Sequence, residues 1–379
     1  METDITRNTD LDGLVALLRK QHTRKVDVVA PATSIASVNG NLVITNSEAV
    51  LTDDGVTNAD GVYRPNAVAV EGISAKLGIP LAYTRRLHEE RTDLFDENVN
   101  GWLHGGTADD LTAYGPDTRS FLVRAFAGDD GTGMARAFLS DRYAVMDNLD
   151  CLMSALSGIE QAGVDVQIAG CDLSDRRMYV RVIAPEVRAL APTLLRGYTS
   201  PFTGEKGADN PTVFAGFVLS NSEVGNGAYT ITPRIVVQVC SNGMTITKDL
   251  VRAVHLGGRL EEGTVRWSAE TEERNLSLIK AKTRDAVATF LDADYVAKVV
   301  EGIEERAGKP VEHHDEVTKV TKALQFTTDQ QEAILQHFSK AGQWTAGGVM
   351  AAVTSAAQQF DADDASDMED RALAVLSAV

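Results

Sequence analysis

Several stretches of this sequence combine residue types and spacings that could do chemistry. The first is Ser220-Asn221-Ser222-Glu223-Val224-Gly225-Asn226-Gly227, a small, polar run between two apolar segments. Such a run can turn backbone N–H groups toward an anion, with Ser222, Gly225, Asn226 and Gly227 as the cradle of a phosphate. It has no P-loop lysine, and no GxGxxG occurs in the chain, so the signal for a nucleotide is weak. A β-turn with a bulge asks for the same glycine and asparagine. The second candidate pairs Cys240 with His255 as thiol nucleophile and base. No third, orienting group is marked. Cys240 also continues the alternation of Val236, Val237 and Val239, as a buried cysteine acting as a small hydrophobe would.

The third candidate is a matter of charge. Between residues 231 and 284 there are nine basic and six acidic residues, against an acidic background. The basic ones include Arg234, Lys248, Arg252, Arg259, Lys280, Lys282 and Arg284. A local basic strip can neutralise phosphates, because exposed charges act over about 10 Å at ordinary salt. The same residues also suit a solvated helix face with ion pairs such as Glu270 with Arg274. Arg142 and Tyr143 are a further nucleic-acid pair: arginine pairs with phosphate and an aromatic ring stacks on a base. A strand-edge ion pair with a half-buried tyrosine fits them equally.

Weaker signals remain. ISAKLGIPLAYTRRL (73–87) has the cadence of a helix-turn-helix whose second helix bears Arg85 and Arg86, and also that of any helical hairpin. His313-His314 lacks metal-ligand spacing and reads as a polar helix start. DADDASDMED (361–370) lacks the glycine and glutamate of an EF-hand and reads as a solvated connector before a last helix. No metal and no cofactor is expected.

The elements that must position these residues follow from periodicity. Leucines at helical spacing open the chain, and Asn39-Gly40 marks a hairpin between Val38 and Leu42. Residues 67–104 predict short helices broken at Gly78 and Pro80. RSFLVRAFA and MARAFLSDRYAVM predict a strand pair, followed by a helix capped at Asp147 or Asn148. Val164–Ala169 and Arg177–Ala184 predict a second pair, and 196–211 a long exposed loop. Residues 212–220 and 228–247 predict strands, and 268–306 helix. From 301 to 379 the chain stays helical and carries 14 acidic against 6 basic residues. The order lacks the strict alternation that builds a parallel sheet. The expected class is therefore α+β: an antiparallel, hairpin-rich sheet with packed helices and a helical C-terminal subdomain. The expected division is 1–115, 116–306 and 307–379.

Composition narrows the classes. The chain has 379 residues, 36 basic and 54 acidic, for a formal charge of −18. Such a charge is unfavourable for generic nucleic-acid binding. No stretch approaches the roughly 20 apolar residues of a membrane helix. The polar start METDITRNTD does not read as a secretory signal. Three cysteines without CxxC spacing exclude a disulfide scaffold and point to a reducing cytoplasm.

EGISAKLGIPLAYTRRL with DLFDENVNGWL, then AFLSDRYAVMDNLDCL, then FVLSNSEVGNGAYTITPRIVVQVCSNGM followed by HLGGR, resemble in order and wording a family of phage- and plasmid-borne proteins. That family is defined by a domain of unknown function common in actinobacteriophages, and the resemblance spans roughly residues 60–360. It implies a phage or mobile-element protein in a bacterial cytoplasm. The plan of elements is similar, by fold-level analogy, to that of single-strand annealing recombinases. Those hold the backbone of single-stranded DNA in a basic groove of an oligomeric ring, with no ATP and no catalytic residues. The analogy implies a homo-oligomer binding single-stranded DNA. Its contacts would be Arg142, Tyr143, Arg234, Lys248, Arg252 and Arg259, with Lys280, Lys282 and Arg284 on a helix. The alternatives are an enzyme acting on a phosphate-bearing or amide substrate through Cys240 or His255, and a host-interacting regulatory protein docking through its acidic C-terminal helices.

Overall fold

The computed structural model describes residues 4–47, 50–52, 55–57, 59–105, 115–128, 131–143, 145–200, 202–238, 243–245, 251–253, 263–264 and 269–379. The chain opens with β1 (Thr6–Thr9), α1 (Leu11–Arg24) and β2 (Lys25–Pro31). Asp10 starts α1 by accepting the Gly13 N–H at 2.8 Å, which satisfies one of the donors left open at a helix start. β3 (Ile35–Val38) and β4 (Asn41–Ile44) form the hairpin expected at Asn39-Gly40. Both turn residues have positive φ, 51° and 75°, as a tight hairpin turn requires. β5 (Val50–Thr52) and β6 (Gly55–Thr57) make a separate ribbon, and β7 (Gly61–Pro65) follows.

Residues 67–104 fold as α2 (Ala67–Leu77), α3 (Leu81–Glu90) and α4 (Thr92–His104). The helical hairpin at 73–87 is real, but Arg85 on its second helix is held by Glu71 of its first. Next come β8 (Ser120–Phe126), β9 (Thr132–Ser140) and α5 (Asn148–Ala162). A Cβ on Gly72 would lie 2.5 Å from the Phe138 carbonyl oxygen, so glycine is what lets α2 lie directly on β9. β10 (Gln167–Leu173), β11 (Met178–Leu190), α6 (Pro192–Leu195), β12 (Thr212–Asn221) and β13 (Tyr229–Val237) complete the middle of the chain. The turns after α6 are not wholly exposed as expected, since Tyr198 and Ser200 are buried. Short strands β14 (Gly243–Thr245), β15 (Val251–Ala253) and β16 (Gly263–Thr264) precede the last helices.

Those helices are α7 (Ala269–Phe290), α8 (Ala293–Ala307), α9 (His314–Ala323), α10 (Thr328–Ala341), α11 (Ala346–Ala357), α12 (Ala362–Ala372) and α13 (Val375–Ala378). His313 caps α9, reciprocated by Glu316, so the two histidines do begin a polar helix. Every residue of α11 is buried, which makes it the axis of the C-terminal bundle. Residues 361–370 are not a connector. Asp361 caps α12 and the acidic run forms the helix itself, where carboxylates near the N-terminus favour the helix dipole.

The class is α+β. One sheet runs β1-β10-β11-β12-β13-β14, with β15 also on β13, and is antiparallel throughout. The other runs β16-β2-β8-β9-β7-β4-β3, in which β7 and β9 are parallel. The inner face of the first sheet packs on α1, α5, α7 and the C-terminal helices in one core. One face of the second sheet packs on α2, α3 and α4 in another. The second sheet draws strands from either side of residue 115, and the larger core runs across residue 306. Among the described residues no helix is long and apolar enough to cross a membrane.

Candidate nucleic-acid interface

The 222–227 loop joins β12 to β13 and reaches across to the second sheet, where Val224 packs with Val29, Val68, Leu122, Ala137 and Leu139. Ser222, Glu223 and Val224 are buried. Ser222 Oγ donates to the Arg176 carbonyl at 2.8 Å and accepts from the Asn226 N–H at 2.9 Å. Tyr143 Oη donates to the Ser222 carbonyl at 2.8 Å. Gly225 has φ +87°, with Leu139 directly beneath it, so the turn there is left-handed. The loop is thus drawn inward. Arg176, Tyr143 and Arg177 take up hydrogen-bonding groups of the loop, and the Glu223 carboxylate at its centre is paired with Arg136.

Glu223 belongs to a buried charge hub between the two sheets. Its carboxylate pairs with Arg136 at 2.5 Å and accepts the Asn148 N–H at the start of α5. Arg124, with 0 % of its surface exposed, grips Asp27 through two hydrogen bonds of 2.8 Å. It also donates to Asp147 at 2.5 Å and to the Glu223 carbonyl at 2.9 Å. Lys25 closes the hub on the other oxygen of Asp147. Burial opposes the charged forms of Arg124, Asp147 and Lys25. Arg124 and Lys25 nevertheless outweigh it at Asp147 and hold that carboxyl well below the usual range. Asp27 and Asp147 outweigh it at Arg124 and raise the guanidinium further.

Sequence reasoning missed this hub. Periodicity makes Asp147 a cap of α5, yet its side chain makes no cap hydrogen bond and faces Arg124 and Lys25 instead. The signal for the hub is Arg124 itself, a charge in the middle of the apolar strand SFLVRAF. A charge buried in a strand needs partners from elsewhere in the chain. His22, Asp147 and Asp150 bring ligand atoms within 4.8 Å of one another. Lys25 places its ammonium on Asp147 of this group.

The predicted contacts separate into distinct places. Arg142 is exposed in the turn after β9, above the inward-facing Tyr143. Burial pushes the Tyr143 phenol up, so it stays protonated. Arg234 is only 3 % exposed and donates to Glu369 of α12 at 2.9 Å, so it is a structural ion pair inside the protein. It is no surface contact for phosphate, because alternation on β13 turns it beneath α12. Arg252 lies on β15 as the register partner of Thr230. Lys248, Arg259, Cys240 and His255 lie outside the described residues. The two described thiols are buried, and burial raises both, Cys171 to about 11, so neither supplies a thiolate at neutral pH.

Lys280, Lys282 and Arg284 stand on α7, which runs beside α5 so closely that a Cβ on Gly158 would lie 2.5 Å from the Lys280 carbonyl oxygen. Ile279, Thr283, Ala286 and Val287 face the core, so Arg284 falls on the exposed side and the two lysines flank it, half-buried. Arg284 pairs with its neighbour Asp285 at 2.8 Å, an exposed contact worth about 1 kcal/mol or less. The same helix packs against β13 and β15. The fold therefore brings the basic helix together with the strand that carries Arg252. It assigns Arg142 and Tyr143 to the hub region and Arg234 to the interior. Comparison of the chain with known protein families, curated proteins and solved structures finds no match.

Proposed function

We propose that this protein binds single-stranded DNA and promotes strand annealing, as a homo-oligomer of phage or mobile-element origin that needs no nucleotide cofactor. The observation that carries the reading is the basic stretch of α7, with Lys280, Lys282 and Arg284, laid against β15 with Arg252. Cations on a rigid helix can follow a sugar–phosphate backbone without reading bases, which leaves the bases open to pair. Strand annealing asks for no catalytic group. The net charge of −18 confines any such contact to a local strip, and the number of phosphates that strip neutralises sets the salt dependence.

The test is fluorescence anisotropy of a labelled single-stranded oligonucleotide across a salt series, beside the matching duplex. Binding should favour the single strand and weaken steeply with salt. Replacing Lys280, Lys282 and Arg284 by alanine should flatten the log–log slope by about 0.7 for each phosphate that is no longer neutralised. Absence of binding at low salt removes the reading. An unchanged slope in the triple variant removes the site.

A further inference from the structure

The outer face of the first sheet, opposite its core, holds a half-open cavity of about 230 Å³ beneath α12, lined by polar and apolar groups alike. Its origin is strand alternation. On β12 and β13 the residues between the core positions are Val218, Ser220, Thr230, Thr232 and Arg234. α12 is anchored over them at two points. Ala362 packs on Tyr179 and Val218, and Glu369 pairs with Arg234. Ser366, between the anchors, and Asp370, just past the second and one turn on from Ser366, line the space from above.

The walls are unusual in what they leave open. Among the described residues, the hydroxyls of Ser220, Thr230, Thr232 and Ser366 meet no hydrogen-bond partner in the protein. A hydroxyl facing a cavity without a partner costs free energy unless a ligand or water supplies one. Arg177 closes one end of the cavity. Its Nε donates to the Asn226 carbonyl at 2.6 Å and its Nη1 lies 3.9 Å from Asp367. Val218 and Ala228 give the floor an apolar patch.

We propose that this cavity binds a small neutral polyol of monosaccharide size. Ser and Thr hydroxyls both donate and accept, so they match the hydroxyls of a polyol in either sense. An apolar floor suits the C–H face of a sugar ring. The charges decide against other small polar ligands. Arg177 and Asp370 set one cation against one carboxylate in the lining, so neither a lone anion nor a lone cation is favoured over a neutral ligand. The size agrees: drug-sized ligands need roughly 300–1,000 Å³, more than is present here. The site stands on the face of the sheet opposite α7 and is independent of DNA binding.

The test is ligand-observed saturation-transfer NMR on the full chain with D-ribose, D-glucose, D-galactose and D-mannose, each at millimolar concentration. At least one sugar should receive saturation from the wild-type protein. Thr232→Val keeps the side-chain shape and removes one hydroxyl, and Ser366→Ala removes one from the surface helix. Each should weaken binding about tenfold while the melting transition stays in place. The two variants lie on different elements, so misfolding of one leaves the other as the test. No transfer to any of the four sugars overturns the proposal. So does equal binding in both variants, or displacement of the sugar by inorganic phosphate or serine.

Discussion

Arg124 and Arg234 are both enclosed by the protein, and their surroundings differ. Arg124 lies between the two sheets with two carboxylates and a carbonyl on its guanidinium, and its pKa is raised. Arg234 lies under α12 with one carboxylate, shared with Gln358, and its Nε has no partner. Burial pulls its guanidinium down, and Glu369 offsets this only in part. A saturated pair of charges fixes one geometry. An undersatisfied one, beside a cavity lined with open hydroxyls, marks a region where polar capacity is left for something other than the chain.

Arg124→Met should have the largest effect, about 3–5 kcal/mol lost in urea unfolding, because Asp27 and Asp147 are left buried around a neutral side chain. Glu369→Leu should cost somewhat less, about 3 kcal/mol, by stranding Arg234. Adding Arg234→Met to Glu369→Leu should recover most of that loss, since an apolar pair replaces a poorly satisfied one. If the double variant is no better than the single, the two arginine sites are alike. Acid sharpens the contrast. Asp147 is held below its ordinary value of 3.8, so its stabilisation is complete above that pH and fades as pH falls below it. Stability of the wild type should therefore drop more steeply below pH 3.8 than that of Arg124→Met, read by circular dichroism. Tyr143→Phe should have the smallest effect, about 1 kcal/mol, by removing one hydrogen bond to the Ser222 carbonyl.

Local structure is legible in the sequence wherever neighbours along the chain decide it. Asn39-Gly40 turns a hairpin, RSFLVRAFA pairs with the strand after it, and α5 starts at Asn148. Partnerships across the chain are not legible. The glycines and asparagines of 222–227 read alike whether the loop faces inward or outward, and only burial of Ser222 and Glu223 distinguishes the two. Arg234 looks like its basic neighbours, because its partner Glu369 is 135 residues away. The basic stretch of α7 is visible as charge, whereas its packing against β15 needs the fold. The cavity leaves no mark at all, since Ser220, Thr230, Thr232 and Ser366 are ordinary strand and helix residues when read singly.

The strand order has a consequence for how the chain reaches this state. Thr6 pairs with Leu173 in one sheet, and Val28 pairs with Thr264 in the other. A ribosome therefore delivers β1 and β2 long before the strands that cover them. β1 waits unpaired until β10 is made, and β2, once β8 has covered one side, keeps its other edge open until β16 follows; closing loops of that length is slow. Such edges invite pairing between neighbouring nascent chains. The yield of folded protein should therefore rise when synthesis is slowed by cooling or when a holdase is supplied, more than the stability of the finished fold alone would suggest.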